Sequence, residues 1–485
     1  MIINIDWKPD KTSKIPIYIQ IKEYIHKKII NGEWTVGMKI PSQRKLAELL
    51  EVNRSTVMNA FEELIADGFL EGNTGNGTRV KNNLWSLFQT TSPPNWNHYV
   101  ENGIYKPNLP TIQDIHKVEP QTNIIRLGTG EPSPEMYPKD IMGEVLKTLS
   151  TKIEIMGYEE EKGLPQLRKQ LCHYLETLGI NATPSSILVV SGALQALQLI
   201  SLGLLRGGST LLLENPSYVN SLNVFQSLGI KLANIPMDRN GMDTSFIKSY
   251  KRRYNASLVY TNPTFHNPTG NVMTLERRKH LLTVCEEEQL PIIEDDVYRE
   301  LWIDTPPPPA LKSMDNNGSI LYIGSISKAL SPGLRIGWIV GPEQVINRLA
   351  DIKMQTDYGS SSLSQWAVTE WLESGKYVKH LESMREALRL RRSTAIRVLQ
   401  NEFVDIAEWT VPSGGFYIWL RLPPTISIKE LFYEALAFGI LLNPGKLYDE
   451  QSFHYLRLSY SYASLFDLEK GIKKLGQIIR KLINN

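Results

Sequence analysis

A lysine stands among hydroxyl groups at Ser325-Ile326-Ser327-Lys328, and Arg335 follows it by seven residues. The run from Ser319 to Ile323 predicts a strand that delivers this lysine at its carboxyl end, and the run Arg335–Val340 predicts a further strand. A lysine that is to form a Schiff base must be held near neutral charge, which burial and a neighbouring cation can achieve. Two serines and an arginine are also the donors that a phosphate dianion needs. Taken alone, the stretch favours a plainer interpretation, a strand-to-turn junction with a solvated lysine.

Other predicted strands are also followed by residues that could bind a ligand or take part in a reaction. In an open α/β sheet, ligands bind beyond the carboxyl ends of the strands. The strands and the residues after them are Ile187–Val190 with Gly192, Ala193 and Leu194, Thr210–Leu213 with Tyr218, Ser257–Tyr260 with Asn267, and Pro291–Glu294 with Asp295 and Tyr298. Each has a structural interpretation of its own, such as a helix start, a core tyrosine or a turn. Together they place phosphate donors, an aromatic ring, an amide, an aspartate and a lysine in one crevice.

Pyridoxal 5′-phosphate is a ligand that uses all of these groups. The coenzyme needs a lysine for its Schiff base and a carboxylate that keeps its pyridinium nitrogen protonated, so that the ring acts as an electron sink. The joint pattern therefore predicts a site for this coenzyme. We predict no metal site.

Residues 124–480 resemble the fold-type I, class I aminotransferases. The resemblance implies that Lys328 is the Schiff-base and catalytic residue and that Ser325, Ser327 and Arg335 bind the phosphate. Asp295, rather than Asp296, would pair with the pyridinium nitrogen, because the family places that aspartate three residues before the tyrosine that contacts the ring hydroxyl, here Tyr298. Asn267 would bind the same hydroxyl and Tyr218 would stack on the ring.

The same resemblance extends to the ligand pocket and to a second subunit. Arg457 would bind a substrate or effector carboxylate through its bidentate fork, and Gly130 would line that pocket. Tyr158 is similar to the tyrosine that reaches the phosphate of the neighbouring subunit, which implies a homodimer. One departure concerns the phosphate loop, where Ala193 and Leu194 leave only backbone donors after Gly192. We therefore expect weaker coenzyme binding than in housekeeping transaminases.

The first part of the chain predicts three short helices and a hairpin. Apolar residues recur at helical spacing from Tyr18 to Ile29, a second helix opens with Ser42 as its N-cap, and a third runs through Val57, Phe61 and Ile65. A Gly-rich hairpin tip follows at 72–77. This is the plan of a winged helix-turn-helix, whose last helix enters the major groove of DNA. A three-helix protein-interaction module is the alternative, since residues 1–81 carry twelve Lys and Arg against ten Asp and Glu.

The sequence of this unit resembles that of the GntR family of winged-helix regulators. The motifs that carry the resemblance are Ile40-Pro41-Ser42-Gln43-Arg44-Lys45-Leu46-Ala47, Val52-Asn53-Arg54-Ser55-Thr56-Val57 and Gly75-Asn76-Gly77-Thr78. The resemblance implies that the unit binds DNA. Arg54 and Asn53 could read base edges, and hydroxyls and backbone amides at helix starts could hold phosphates. The predicted DNA-binding residues are Ser42, Arg44, Asn53, Arg54, Ser55, Thr56, Gly75, Gly77 and Thr78. Modest basicity suffices if two units bind repeated half-sites as a dimer, because phosphate contacts add.

Length and composition set the outer limits. The 485 residues exceed one ordinary core, so we expect a multidomain chain: a winged helix-turn-helix at 14–81, a linker at 82–122, and an α/β aminotransferase-like domain with a smaller C-terminal α+β subdomain at 123–485. A net charge of +2 gives no global field towards DNA or an anionic membrane. Cys172 and Cys285 indicate buried thiols of a reducing compartment, and no signal peptide or membrane span is apparent, so a cytoplasmic protein without membrane contact is expected.

The two halves together resemble the MocR/GabR-type transcriptional regulators. This implies a cytoplasmic homodimer, with domain swapping left open, that binds double-stranded operator DNA and senses an amino acid, an amine or the coenzyme itself. A catalytically active class I aminotransferase with an accessory DNA-binding domain is the main alternative, and weak transamination is compatible with either. A DNA-binding protein with a vestigial second domain is a third. The effector, the operator and the sign of regulation are not encoded in these motifs.

Overall fold

The computed structural model describes residues 5, 7–73, 77–82, 94, 96–105, 107–153 and 157–484. It divides into two compact units, Met1–Lys106 and Pro107–Asn485. Within the described residues, no helix is both long and apolar enough to cross a bilayer.

The first unit is a three-helix bundle with a hairpin and a further short helix. Its elements are α1 (Ile17–Ile30), α2 (Gln43–Leu50), α3 (Arg54–Ala66), β1 (Leu70–Asn73), β2 (Gly77–Val80) and α4 (Trp96–Glu101). Ile21 and Ile25 of α1 and Phe61 and Leu64 of α3 are fully buried in one core, as their helical spacing predicts. The Ser42 hydroxyl accepts a hydrogen bond from the Lys45 amide, which confirms the predicted N-cap of α2. The hairpin strands pair antiparallel, from Leu70 with Val80 to Asn73 with Gly77.

The second unit alternates strands and helices before it changes to a smaller α+β part. Its first elements are α5 (Pro110–Val118), β3 (Ile125–Arg126), α6 (Lys139–Lys152), α7 (Pro165–Thr177), β4 (Ile187–Val190), α8 (Ala193–Leu204), β5 (Thr210–Asn215), β6 (Lys231–Asp238), β7 (Gly241–Met242), α9 (Ile247–Tyr254), β8 (Ala256–Thr261), α10 (Leu275–Glu287), β9 (Ile292–Asp295), β10 (Ile320–Ser325), β11 (Gly337–Val340), α11 (Glu343–Thr356), α12 (Ser362–Glu373) and α13 (Lys376–Glu402). The smaller part contains β12 (Glu408–Trp409), β13 (Tyr417–Arg421), α14 (Ile428–Ala437), β14 (Ile440–Leu441), β15 (Asn443–Pro444), β16 (Tyr455–Ser459) and α15 (Leu465–Ile483).

The central sheet has eight strands in the order β4-β11-β10-β9-β8-β5-β6-β7. β10, β9, β8, β5 and β6 run parallel, whereas β11 is antiparallel to both of its neighbours and so brings β4 into the parallel direction. The carboxyl ends of β4, β5, β8, β9 and β10 therefore meet at one edge, as expected from the sequence. A second, four-stranded sheet has the order β12-β13-β16-β15.

Two predicted features differ from the structure. The strand predicted over Arg335–Val340 begins only at Gly337, because Arg335 has a φ of 53°, in the left-handed region that a strand cannot contain. The segment predicted as a semi-extended linker at 82–122 contains α4 and α5, and α5 packs into the second unit through the buried Ile115. The weak periodicity of this region concealed both helices.

Gly324 allows the lysine-bearing strand to pack against its antiparallel neighbour. It pairs with Trp338 in the register of β10 and β11, and a Cβ at this position would overlap the Trp338 indole. We predict that Gly324→Ala lowers the free energy of unfolding by about 1–3 kcal/mol, because overpacking forces neighbours from their rotamers. Chemical denaturation measures the change.

The matched control is Gly143→Ala, on the exposed side of α6, where an added Cβ has no atom within 4 Å. It is expected to raise stability by about 0.5–1 kcal/mol, since alanine is the better helix former. Equal effects of the two substitutions would contradict the steric explanation.

Candidate functional site

A cavity of about 360 Å³ lies at the carboxyl ends of the parallel strands. It collects residues from both parts of the second unit. Of the residues predicted from the sequence, it is lined by Gly130, Ala193, Leu194, Tyr218, Asn267, Asp295, Tyr298, Ser325, Ser327, Lys328, Arg335 and Arg457. Gly192 and Tyr158 are not on its wall.

Lys328 lies just beyond β10, in the turn that the sequence predicts. Its Nζ donates a hydrogen bond to the Gly130 carbonyl oxygen at 2.6 Å and stands 6.0 Å from the centre of the Tyr298 ring. Among the described residues, no carboxylate lies within 4.0 Å of this amine. The amine is therefore held in the cavity by a neutral acceptor rather than by an ion pair.

Asp295, at the end of β9, is a buried carboxylate with one oxygen uncommitted. Its Oδ2 accepts a hydrogen bond from Tyr260 Oη at 2.8 Å, whereas its Oδ1 has no partner among the described residues. Only 5% of the residue is exposed, and this burial raises the carboxyl pKa to about 6. A cationic donor such as a protonated ring nitrogen would satisfy the free oxygen and restore the charged form.

Asn267 and Tyr298 lie side by side, as their predicted roles on one ring hydroxyl require. Asn267 Nδ2 donates to Tyr298 Oη at 3.4 Å, and Tyr298 Oη lies 2.9 Å from Tyr417 Oη. Asn262 holds this arrangement from behind, since its side chain accepts from the Asn267 amide at 2.7 Å and donates to the Asp295 carbonyl oxygen at 2.6 Å. Asn262 and Tyr417 were not identified from the sequence.

Arg457 lies beside Asn267 on the cavity wall. Its Nη1 donates to Asn267 Oδ1 at 2.8 Å and its Nη2 to the Gly128 carbonyl oxygen at 2.7 Å. The guanidinium carbon lies 4.3 Å from the centre of the Tyr417 ring and 4.9 Å from that of Tyr448. The residue is 5% exposed and its Nε has no described partner. A buried, oriented cation with spare donor capacity is suited to a ligand carboxylate.

The hydroxyls and the arginine of the predicted phosphate site also lie together. Ser325 Oγ is 3.1 Å from Ser327 Oγ, and Arg335 Nη2 donates to the Ser191 carbonyl oxygen at 2.7 Å. Gly192 caps α8 with a φ of 90°, and a Cβ there would lie 2.6 Å from Arg335 Nη2. Glycine at 192 thus brings the helix N-terminus and the guanidinium close together, a favourable setting for an anion.

Tyr158 lies on the surface, 84% exposed, with its ring centre 4.9 Å from that of Tyr358. It contributes nothing to the cavity of its own chain. Its predicted role, at the phosphate of a neighbouring subunit, stays a prediction because it concerns a second copy of the chain.

The wall of the cavity also includes residues that carry no motif. Ile115 and His116 of α5 and Glu119 just after it line the cavity. Their contribution could not be read from the sequence, because the helix precedes the alternating strands and its neighbours in space come from distant parts of the chain.

In the first unit, the predicted DNA-contacting side chains lie mostly on the outside. Arg44, Asn53, Arg54 and Ser55 are exposed, and Thr56 is half-buried. Asn53 precedes α3 without using its side chain as a cap. Ser42 is exposed but its hydroxyl caps α2. Gly77, with a φ of 81°, and Thr78 lie on β2, and Gly75 lies outside the described residues. The start of α3 therefore presents a guanidinium, an amide and a hydroxyl to solvent.

Family models match both units. Residues 17–80 match the model described as bacterial regulatory proteins, gntR family, and residues 122–475 match aminotransferase class I and II.

Similar proteins carry the same two-part layout or the fold of the second part. The HTH-type transcriptional regulator YdfD of Bacillus subtilis is 53% identical over 97% of this chain and 98% of its own length. The HTH-type transcriptional regulator NorG of Staphylococcus aureus is 36% identical over 92% of this chain and 100% of its own. The crystal structure of kynurenine aminotransferase from Pyrococcus horikoshii, a complex that contains PMP, superposes with a TM-score of 0.73 at 30% identity, over 78% of this chain and 95% of that one.

Asp295→Asn separates the stability of the coenzyme-free protein from its coenzyme affinity. The pKa of Asp295 is about 6 in the folded state and 3.8 ordinarily. Between these pH values the folded protein therefore binds more protons than the unfolded protein, so its stability falls as the pH rises. Above about pH 6 the ionised carboxylate lowers stability by the full amount. The amide keeps an acceptor for Tyr260 and carries no charge. We predict that the variant is more stable than the wild type at pH 7 by roughly 1–3 kcal/mol, with the difference vanishing near pH 4.

Denaturant unfolding across this pH range measures the stability, and a fluorescence titration measures affinity for pyridoxal 5′-phosphate, which should fall at least about tenfold without the charged partner. A variant with unchanged coenzyme affinity would contradict the assignment of Asp295 to the ring nitrogen.

Proposed function

Because the chain belongs to the MocR/GabR-type HTH transcriptional regulators, which join a gntR-family domain to an aminotransferase class I and II domain, we propose that it is a homodimeric, cytoplasmic regulator that senses an amino acid or amine, or the coenzyme itself. The observation that carries this proposal is the presence, on one chain, of a DNA-binding domain and of a cavity holding Lys328, Asp295, Asn267 and Arg457.

The cofactor of the second domain is pyridoxal 5′-phosphate. When bound, it supplies a carbonyl carbon that condenses with amines and a ring that withdraws electrons. Lys328 would provide the amine for its attachment, Asp295 would keep the ring nitrogen protonated, and Asn267 with Tyr298 would bind the ring hydroxyl. Tyr218 would stack on the ring, while Ser325, Ser327, Arg335 and the backbone amides after Gly192 would hold the phosphate.

Arg457 orients the effector. The contacts with Gly128 and with the Tyr417 and Tyr448 rings already fix its guanidinium, so little side-chain entropy is lost when a carboxylate binds. An amino acid held by Arg457 would present its amine near Lys328, where it competes for the position of the lysine Nζ. Gly130 lies beside the amine, since its carbonyl oxygen accepts from Lys328 Nζ.

The first domain binds operator DNA through α3 and the hairpin. Arg54, Ser55 and Asn53 at the exposed start of α3 would reach base edges and phosphates in the major groove, and Arg44 with the Ser42 segment would contact the backbone. Two such domains in a dimer would read repeated half-sites, which doubles the phosphate contacts of a weakly basic module.

A dimer also gives the exposed Tyr158 a function. Tyr158 and Tyr358 are 84% and 57% exposed and form an aromatic pair that faces solvent. Neither residue lines the cavity of its own chain. We infer that Tyr158 reaches the phosphate site of the partner subunit, so that each cavity is completed by two chains.

A catalytically active aminotransferase is the second candidate. The cavity supports it because, apart from Ala193 and Leu194 in the phosphate loop, each predicted coenzyme-binding residue on its wall has a side chain suited to its role. The regulator and the enzyme differ in turnover: a sensor exchanges Lys328 for an effector once, whereas an enzyme cycles with an amino-group acceptor.

An absorbance titration of the coenzyme-loaded protein against amines and amino acids, with and without 2-oxoglutarate, tests this proposal. We predict a stoichiometric spectral change without sustained turnover in the wild type, and no Schiff-base absorbance in Lys328→Ala, which lacks the attaching amine. Lys248→Ala, on the exposed face of α9, is the control and should behave as the wild type. Sustained transamination together with no sequence-selective DNA binding would overturn the regulatory function.

Tyr158→Phe tests the shared site. Loss of one phosphate hydrogen bond is expected to weaken coenzyme binding about five- to twentyfold, since a hydrogen bond to a charged group is worth roughly 1.5–3 kcal/mol at most sites and somewhat less near solvent. Tyr254→Phe, an exposed tyrosine of α9, is the matched control. Equal affinities of the wild type and Tyr158→Phe, measured at concentrations where the protein is dimeric, would refute the contribution of Tyr158.

A further inference from the structure

Helix α5 and the residue after it form a fixed wall of the effector cavity. Ile115, 6% exposed, packs into the core of the second unit, and Asp114 Oδ2 accepts from Tyr433 Oη of α14 at 3.1 Å. These contacts hold the helix so that His116 and Glu119 face the cavity. The helix therefore has a defined position beside the ligand, although no motif marks it.

Glu119 is connected to the segment that holds both Lys328 and Arg457. The Thr129 hydroxyl donates to Glu119 Oε1 at 2.7 Å, and the two residues on either side of Thr129 supply the carbonyl acceptors of Arg457 and Lys328. Glu119 is thus connected, through Thr129 and its two neighbours, to the groups that would hold an effector's carboxylate and amine. Its Oε2 has no described partner.

Some charged side chains on the cavity wall have a proposed role in ligand binding, whereas others have none. The cations Lys328, Arg335 and Arg457 have roles on the coenzyme or on a carboxylate, and Asp295 has the ring nitrogen. Two further carboxylates, Glu119 and Glu131, also line the cavity, and among the described residues no Lys, Arg or His lies within 4.0 Å of either. The wall thus offers negative charge that neither the coenzyme nor an effector carboxylate uses.

Two further observations show that this cavity is built for a polar ligand. Arg457 Nε and Asp295 Oδ1 belong to side chains that are 95% buried, and neither atom has a described partner. Buried polar atoms of this kind cost free energy unless a ligand satisfies them.

We propose that Glu119, supported by Glu131, is a specificity-determining residue that binds a second, cationic group of the effector, so that the preferred effectors are amino acids with a distal amine. This rests on the proposed function, since it concerns the ligand of the same cavity. Arg457 binds the carboxylate, the α-amine approaches Lys328, and the distal ammonium donates to the free oxygen of Glu119. The Thr129 hydrogen bond fixes the carboxylate rotamer in advance.

Paired ligands of equal length test the assignment. The coenzyme-loaded protein is titrated with 2,4-diaminobutyrate, ornithine and lysine, and with their neutral isosteres norvaline, norleucine and 2-aminoheptanoate, in which a methyl group replaces the distal ammonium, and dissociation constants are taken from the absorbance change. At least one diamino acid should bind about tenfold or more tightly than its isostere, because a charge-assisted hydrogen bond is gained. In Glu119→Gln, which keeps an acceptor for Thr129, this preference should fall to about twofold or less.

Asp114→Asn is the matched control, since it removes a charge from α5, the helix that precedes Glu119, but Asp114 contacts Tyr433 and does not line the cavity. It should retain the wild-type preference. Equal binding of diamino acids and isosteres by the wild type, or an unchanged preference in Glu119→Gln, would overturn the assignment and leave amine sensing intact. If no amine of either class changes the absorbance, the proposed function itself fails.

Discussion

The hydrogen bond from Tyr260 to Asp295 joins two adjacent parallel strands and orients a buried carboxylate on the cavity wall. Burial makes this carboxylate hard to ionise, as its pKa of about 6 indicates, and leaves Oδ1 without a partner. Ionised Asp295 therefore costs free energy in this cavity, and a protonated ring nitrogen bonded to Oδ1 would offset that cost. Asn262 ties the Asp295 backbone to Asn267, and Asn267 in turn holds Arg457, so these side chains are positioned together.

This network explains how one cavity could serve either catalysis or sensing. A ligand changes the behaviour of a protein only when it binds two states with different affinity. The segment 128–131 touches Arg457, Glu119 and Lys328 through consecutive residues, so a ligand that engages these groups exchanges several of its hydrogen bonds at once. Such an exchange is the kind of discrete rearrangement that an effector can stabilise.

The sequence was sufficient for most of the fold and for the chemistry at the strand ends. The carboxyl ends of parallel strands meet at one edge of a sheet, so the sequence alone groups Asp295, Asn267 and Lys328. Tyr417 and Glu119 could not, because each reaches the cavity through tertiary packing that no local spacing encodes. The sequence predicts a strand that includes Arg335, whereas Arg335 has a left-handed backbone and its guanidinium lies against Gly192. The role of Tyr158 depends on a second chain.

Ligand binding in the second domain should be linked to DNA binding by the first. The direct test uses a DNA sequence enriched by the coenzyme-loaded protein from a random pool. The affinity for this DNA is measured with and without a saturating amine, and the affinity for the amine is measured with and without the DNA. Both affinities should change by the same factor, at least about fivefold, since coupling between two sites is reciprocal. Unchanged DNA affinity at saturating amine would contradict it.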